Sequence, residues 1–594
     1  MINAGAYRVL VVDDERQMCD VAQKQISEIA GPEAIYVDKA YTARVAIEKV
    51  KETFFDLIIL DLYKETVLAG FEVYRKLNEL DCSAKVILMT RFDIESSVDT
   101  LLKAVSSEGS ARLVGFLDKR DPKFGTIRTE VEKHYLKFAK ADFAIDNLSL
   151  ASRLISKRRK RYQQLQRFPL REDPAEIEAE IERLLRELYV EVPEGSRRSA
   201  GVSVALEPIE RRGLSPAVVV NCTVRIGLHG ADEVREGHKT VLKIGPKHDI
   251  REEASRFREF VRYGVELDQR VELLGVTERD SLGGLVYSFA GGLHHKGLMA
   301  LDDVLVMDMG SQNESLSRKV FQGLFRSRHW YSVMTDDVDV NEYFKVIYKN
   351  SLITSFAQAE EALFRLPIEL GAQVRVERVP AKAGKESYFS VEIGRAASLA
   401  IPNSSILGLG PMYGSVPGRL VHGDMHAGNV MLEVSEDDSA PADKRVRLDR
   451  ACLIDFRSAG PGPRTIDAVA LESSVRLADS DVACRRIDSD GESSLSGSDR
   501  LRIAEEMVDR FPDEIRLYRS VFYGDGELSS HGWQTEAAEI LFGLKSCFSD
   551  LTLEEYLSTS IRYTIRQLGF EMPPVSRARM LVWLAGQYCL LQAI

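Results

Sequence analysis

Asp13, Asp14 and Glu15 stand together directly after the apolar run VLVV, and Asp61 closes a second such run, LIILD. Carboxylates brought close together repel unless a hard cation sits among them. Mg²⁺, which takes a few carboxylates and keeps several waters, fits their number. Thr90 ends the run ILMT and Lys119 ends GFLDK. A hydroxyl and an ammonium beside the acids suit the oxygens of a phosphoryl group on Asp61. A second set lies far along the chain. In VHGDMHAGNVML, Asp424 and Asn429 share a glycine-punctuated loop, and ACLIDF carries Asp455. One carboxylate to orient a hydroxyl, with an amide and a second carboxylate to hold Mg²⁺, is the minimum equipment for phosphoryl transfer. Upstream, RRGLSPAVVV reads as strand, turn and strand, with Gly213 and Ser215 in the turn, and KTVLKI presents Lys243. An ammonium under a small-residue loop suits the α and β phosphates of a nucleotide. In DIREEASRFREFV, Ile250, Glu253, Phe257 and Val261 recur at helical spacing. Glu253 therefore falls on the inward face as the partner of Lys243, with Glu252 as the alternative.

These side chains need rigid carriers. Between residues 8 and 117, short β-rich runs alternate with amphipathic stretches, the rhythm of a parallel doubly wound sheet covered by helices. On such a sheet Asp13, Asp14 and Asp61 meet at the carboxyl edge, where these folds bind ligands. Residues 126–166 read as mostly helical and heavily charged, and KRRKR at 157–161 as a solvated helix face. Ile177, Ile181, Leu184, Leu185 and Leu188 predict one more amphipathic helix after Pro174. From about residue 199 short β-like runs predict an antiparallel sheet. Beyond residue 300 helical periodicity dominates, apart from β-like runs near 386–455. SEDDSAPADKR (435–445), DSDGESSLSGSD (488–499) and GGLHHKG (291–297) read as loops.

The elements VLVVDDE, LIILDLY, ILMT and GFLDK resemble the receiver domain of bacterial response regulators over roughly residues 7–140. The resemblance implies that Asp61 takes a phosphoryl group from a sensor histidine kinase, that Asp13 and Asp14 hold Mg²⁺ with Asp61, that Thr90 and Lys119 sense the phosphate, and that Phe116 is an aromatic switch. Arg120 stands where the family usually has proline, and Asp61 to Gly70 is one residue longer than usual. The segment from about 199 to 594 resembles the protein-kinase-like fold in its aminoglycoside and choline phosphotransferase branch, through H-G-D-M-H-A-G-N and I-D-F. Carried over, Asp424 is the catalytic base, Asn429 and Asp455 are the Mg²⁺ ligands and Lys243 is the phosphate lysine. Tyr287 to Phe289 form the hinge that meets the adenine of ATP. His422 and His426 order the loop, and Asp467 braces it, as does Glu472. Pro216 departs from the small or flexible residues usual in the glycine-containing turn.

The expected fold class is α/β plus α+β. A flavodoxin-like (βα)5 receiver (1–140) and a helical linker (141–195) precede a bilobal kinase-like domain (196–594), its small lobe about 199–290 and its large lobe about 291–594. The last receiver helix is expected to run into the linker and carry the signal there. Lys and Arg number 79 against 91 Asp and Glu, so the net charge of −12 argues against whole-chain binding to nucleic acid or anionic lipid. Seven scattered cysteines without a C-x-x-C pair predict reduced thiols, and no segment is apolar enough to insert in a membrane. The expectation is a cytoplasmic phosphorelay protein, monomer or homodimer, whose receiver regulates an ATP-dependent transfer of phosphate to an alcohol group on a small-molecule or protein acceptor. The alternative is a nucleotide-binding scaffold without turnover.

Overall fold

The computed structural model of the chain describes residues 6–31, 34–61, 69–80, 82, 84–91, 113–120, 125–139, 143–159, 170, 172–189, 201–208, 217–227, 234–265, 270–288, 298–310, 317–326, 331–348, 352–380, 387–396, 398–402, 415–434, 446–485, 496–525, 533–570 and 572–593. The readings at Gly213, Ser215, Pro216, Phe289, GGLHHKG, the loop 435–445 and positions 488–495 of the loop 488–499 lie outside them. The chain divides into two compact units, Met1–Ala254 with Leu273–Phe289, and Ser255–Glu272 with Ala290–Ile594.

The first unit opens with a five-stranded parallel sheet in the order β2-β1-β3-β4-β5. Its strands are β1 (Tyr7–Val12), β2 (Ile35–Ala40), β3 (Leu57–Asp61), β4 (Lys85–Thr90) and β5 (Leu113–Asp118). Helices α1 (Arg16–Ser27), α2 (Ala43–Glu52), α3 (Ala69–Glu79) and α4 (Gly125–Ala139) accompany it. Alternate side chains of one strand point to opposite faces, so an apolar run buried throughout supplies two cores. Leu10, Val12, Ile58, Leu60, Val86 and Leu88 pack on one side, and Val9, Val11, Leu57, Ile59, Ile87 and Met89 on the other.

A six-stranded sheet in the order β10-β11-β9-β8-β7-β6 completes this unit. It consists of β6 (Phe143–Asp146), β7 (Gly201–Pro208), β8 (Val218–Gly227), β9 (Val234–Pro246), β10 (Leu273–Glu278) and β11 (Leu282–Ser288). Here the expectation of a purely helical linker is corrected. The last receiver helix ends at Ala139, and β6 then pairs in parallel with β7. The segment belongs to the sheet because Phe143 and Ile145 pack against the core of the strand that follows. Helices α5 (Leu148–Lys157) and α6 (Pro174–Tyr189) cover the same core, with Ile177, Ile181, Leu184 and Leu185 of α6 buried in it. Replacing fully buried Leu184 with Ala is expected to cost about 2–5 kcal/mol, read as a lowered midpoint of urea unfolding with unchanged slope. Helix α7 (Lys247–Arg256) follows β9 directly.

The second unit contains β12 (Leu298–Ala300), β13 (Met334–Asp339), β14 (Val374–Val379), β15 (Tyr388–Ile393), β16 (Leu399–Pro402), β17 (Ser415–Val421), β18 (Val430–Val434), β19 (Val446–Leu453) and β20 (Gly460–Pro463), which form three three-stranded sheets, β12-β18-β19, β13-β17-β20 and β14-β15-β16. Two of these strands, β13 and β14, fall where helical periodicity was expected to dominate. β13, MTDDVD, is mostly solvent-exposed and carries no apolar alternation to announce it, and in β14, VRVERV, the alternation of Val374 and Val376 with charged residues lapses at Glu377 and Arg378. Helices α8 (Leu301–Gly310), α9 (Ser317–Arg326), α10 (Val340–Ile347) and α11 (Leu352–Leu370) precede a helical carboxyl-terminal half. That half holds α12 (Ile466–Arg485), α13 (Gly497–Asp509), α14 (Phe511–Tyr523), α15 (Trp533–Cys547), α16 (Leu553–Leu568) and α17 (Pro574–Leu591). Thr552 caps α16 by accepting from Glu555 N at 3.2 Å, and Gly524 ends α14 at φ 76°. Helix α17 is buried along nearly its whole length, and among the described residues no helix is long and apolar enough to cross a membrane.

Candidate functional site

β1 and β3 are neighbours with Val12 opposite Leu60, so Asp13 and Asp61 emerge side by side at the carboxyl edge. Asp13, Asp14 and Asp61 can each offer one oxygen with all three within 4.8 Å of one another. Lys119, which follows β5, reaches in with its ammonium 2.6 Å from Asp13 and 2.8 Å from Asp61. Burial alone would pull the lysine pKa down, but its hydrogen bonds and ion pairs with these carboxylates hold it above the ordinary value. Three carboxylates and one ammonium leave two negative charges unbalanced. That oxygen-only donor set fits a hard divalent cation. Thr90 ends β4 fully buried, and its carbonyl accepts from Lys119 N at 2.8 Å. Phe116, half-buried on β5, packs against the core that contains Leu88.

Glu15 points elsewhere than to the cluster and forms an exposed ion pair with Arg91. Because β3 lies between β1 and β4, a bridge from the end of β1 to the end of β4 crosses the end of β3, which is Asp61. The sequence reading missed Arg91. Its position directly after Thr90 was the available signal. Arg120 is occupied by its neighbour Asp118, which it grips through two side-chain nitrogens at 2.7–2.9 Å and holds at a pKa of about 2.

On the second sheet of the same unit, Lys243 of β9 lies opposite Val219 and Leu285 in the two neighbouring strands. Its ammonium sits 2.7 Å from Glu253 of α7, both side chains nearly inaccessible to solvent. Glu253 takes the inward position ahead of Glu252. Its other oxygen accepts from the Tyr287 hydroxyl at 2.7 Å. The Tyr287 side chain thus braces this ion pair, a role that the hinge expectation did not include.

In the second unit, the loop between β17 (Ser415–Val421) and β18 (Val430–Val434) holds Asp424 and Asn429, and the loop between β19 (Val446–Leu453) and β20 (Gly460–Pro463) holds Asp455. Ile454 N donates to Asn429 O at 3.0 Å, and Ile454 O meets His422 Nε2 at 3.0 Å, so the two loops are laced together. Burial keeps the His422 imidazole below its ordinary pKa and therefore neutral. With Nε2 against a carbonyl, Nε2 carries the proton and Nδ1 accepts from Asp424 N at 3.4 Å. His426 Nδ1 accepts from Gly428 N at 3.1 Å, and Asn429 Nδ2 donates to Asp424 O at 2.9 Å. Gly423 sits at φ 80°, where a Cβ would come within 2.3 Å of Ser458 O. Asp455 adopts φ 62°, a left-handed backbone uncommon for a non-glycine residue.

Asp467, fully buried at the start of α12, accepts from His422 N at 2.9 Å, Gly423 N at 2.8 Å and the Tyr331 hydroxyl at 3.1 Å. Burial raises its pKa despite these donors. Glu472 does not brace the loop beside it. One turn further along α12 it points into the helical core, bonding Tyr518 at 2.8 Å, Tyr556 and Arg476. Asp467→Ala strands two buried N–H groups, each costing about 1–3 kcal/mol, and is expected to lower the melting temperature and speed amide exchange at His422 and Gly423.

Residues 9–119 match the model of the response regulator receiver domain. The amino-terminal part of the chain is a response regulator receiver domain. The receiver places the chain in two-component phosphorelay signalling, with a histidine kinase as the partner it implies. Among solved structures, similarity extends to the CheY-like receiver domain protein of Methanospirillum hungatei JF-1 (24% identity, TM-score 0.18), which covers 22% of this chain and 94% of that one. It extends also to the response regulator TrrA of Thermotoga maritima in complex with Mg²⁺-BeF (25% identity, TM-score 0.17), covering 21% and 97%. No curated protein matches the chain.

Proposed function

We propose that the receiver takes a phosphoryl group on Asp61 and that the chain from about residue 196 is a kinase-like, ATP-dependent phosphotransferase under its control. On the receiver, Asp13, Asp14 and Asp61 would hold Mg²⁺, which when bound offsets charge on the phosphoryl oxygens. The Asp61 carboxylate attacks the phosphorus of the kinase phosphohistidine, an O–P bond forming as the P–N bond breaks and the imidazole leaves. Lys119 and the Thr90 hydroxyl then bind the oxygens of the new phosphoaspartate, and Phe116 repacks on β5. The carboxylate triad closed by the Lys119 ammonium supports this reading.

In the phosphotransferase, Asp424 accepts the proton of the acceptor hydroxyl as its oxygen bonds the γ-phosphorus of ATP and the bond to the β-phosphate oxygen breaks, releasing ADP; Asn429 and Asp455 would hold Mg²⁺, and Lys243, oriented by Glu253, neutralises nucleotide phosphate. The observation that carries this reading is the lacing of Ile454 to both Asn429 and His422, which sets Asp455 beside the loop of Asp424. The acceptor is an alcohol on a small molecule or a protein. An assay with ATP, Mg²⁺ and candidate acceptors, followed by mass measurement of every species, tests it. Phosphorylated acceptor supports the transferase, whereas ATP bound without consumption replaces it with a nucleotide-sensing scaffold.

A further inference from the structure

Helix α6 has the apolar stripe expected of it, yet two of its charged positions, Glu180 and Arg183, are only 1% exposed. On one side α6 meets the receiver at the edge opposite Asp61. Arg183 Nε lies 3.0 Å from Asp56, the residue that precedes β3, and another nitrogen of Arg183 donates to Ala6 O. Asp56 also accepts from Arg8 N at 2.9 Å, and Arg8 makes two bonds of 2.8 and 2.9 Å to Glu176 of α6. The guanidinium groups of Arg8 and Arg183 both lie over the Phe54 ring, 4.3 and 4.4 Å from its centre. Two buried arginines, Arg183 committed to Asp56 and Arg8 to Glu176, with Phe54 against both, form a fixed joint, because breaking either pair leaves a buried charge without its partner.

On its other side α6 grips the turn between β10 and β11. Glu180 accepts from Ser281 N at 2.8 Å, Leu282 N at 2.9 Å and the Ser281 hydroxyl at 2.7 Å. Ser281 O in turn accepts from Lys247 N, the first residue of α7, at 3.3 Å. Packing between these elements has no slack. A Cβ on Gly283 of β11 would lie 2.8 Å from Ile250 of α7, and one on Gly284 would lie 3.1 Å from Leu188 of α6. α7 carries Glu253, and β9 beside β11 carries Lys243.

We propose that α6 is the coupling strut of this chain. A change of state at Asp61 travels along the five residues of β3 to Asp56, crosses to α6 through Arg183, and reaches the Lys243–Glu253 pair through Glu180 and the β10–β11 turn. The receiver therefore signals through the amino edge of its sheet, whereas the charged run after its last helix was the route expected from the sequence. Buried, discretely paired groups have two arrangements, made or broken, and so transmit a small shift as a switch. This inference rests on the proposed role of Asp61, and its test needs no nucleotide, so it stands apart from the phosphotransferase reading.

The test is amide hydrogen exchange on the full chain, with and without Mg²⁺ plus beryllofluoride. In the parent, the probe is expected to change exchange about fivefold or more at residues 54–61, and also at 247–256 and 281–288. In Asp56→Asn combined with Arg183→Met, which removes the pair and leaves Arg279, 3.8 Å from Asp56, its closer partner Glu187 at 2.6 Å, the change is expected at 54–61 alone. Ser281→Ala, which deletes one of the three bonds to Glu180 and leaves the fold intact, is expected to reduce the change at 247–256 without touching that at 54–61. Persistence of the full response at 247–256 in both variants overturns the strut. So does a parent that responds at 54–61 only. Silence at 54–61 in the parent overturns the phosphoacceptor reading and the coupling with it.

Discussion

Asp61→Asn is expected to remove phosphoryl uptake, with the phosphorylated species falling on the order of 10³-fold or more in an acetyl phosphate assay read by intact mass. The amide matches the carboxylate in size but has no charge to attack phosphorus and contributes one anionic oxygen fewer to a cation. Lys119 retains its contact with Asp13 at 2.6 Å, so the edge of the sheet keeps its shape. The variant therefore reports chemistry and not unfolding. Chelation of Mg²⁺ is expected to reproduce the loss in the parent, because two unbalanced negative charges then repel the phosphodonor. Uptake by Asp61→Asn at the parental rate would assign the phosphoacceptor elsewhere.

Asp424→Asn is expected to lower ATP-dependent turnover by about 10²–10⁴-fold with nucleotide affinity nearly unchanged, the signature of losing a general base. The loop is suited to this comparison. Asp424 is tied into it through its backbone, its carbonyl accepting from Asn429 and its N–H donating to His422, so exchanging the side-chain oxygen for an amide leaves those bonds in place. Glu253→Gln at the other cluster should instead weaken nucleotide binding, since the Lys243 ammonium loses the charge that orients it at 2.7 Å. Loss of turnover in Asp424→Asn with retained binding separates the transferase from a scaffold.

The parts of the fold that were legible in the sequence are those set by local pattern. VLVV and LIIL are buried on both faces, and a continuous apolar run is what such a strand requires. The three acids are legible because parallel strands place their carboxyl ends on one edge whatever the surrounding detail. Glu253 is legible because four residues at helical spacing fix which of two adjacent glutamates faces inward. What escaped is non-local. β6 is four residues with alternating exposure, and only its pairing with β7 makes it a strand. Glu180 and Arg183 look like the solvated side of an amphipathic helix, and nothing in their neighbourhood announces partners about a hundred residues away in either direction. The Arg91–Glu15 bridge likewise joins residues far apart in the chain, and only the position of Arg91 directly after Thr90 hinted at it.

By itself the sequence determined which carboxylates, amides and ammonium groups share a loop, and that restricts what those loops can bind. Only the tertiary structure decided how the receiver is held to the neighbouring sheet. A buried charge must find its counter-charge somewhere in the fold, and where that partner lies depends on topology and not on spacing along the chain.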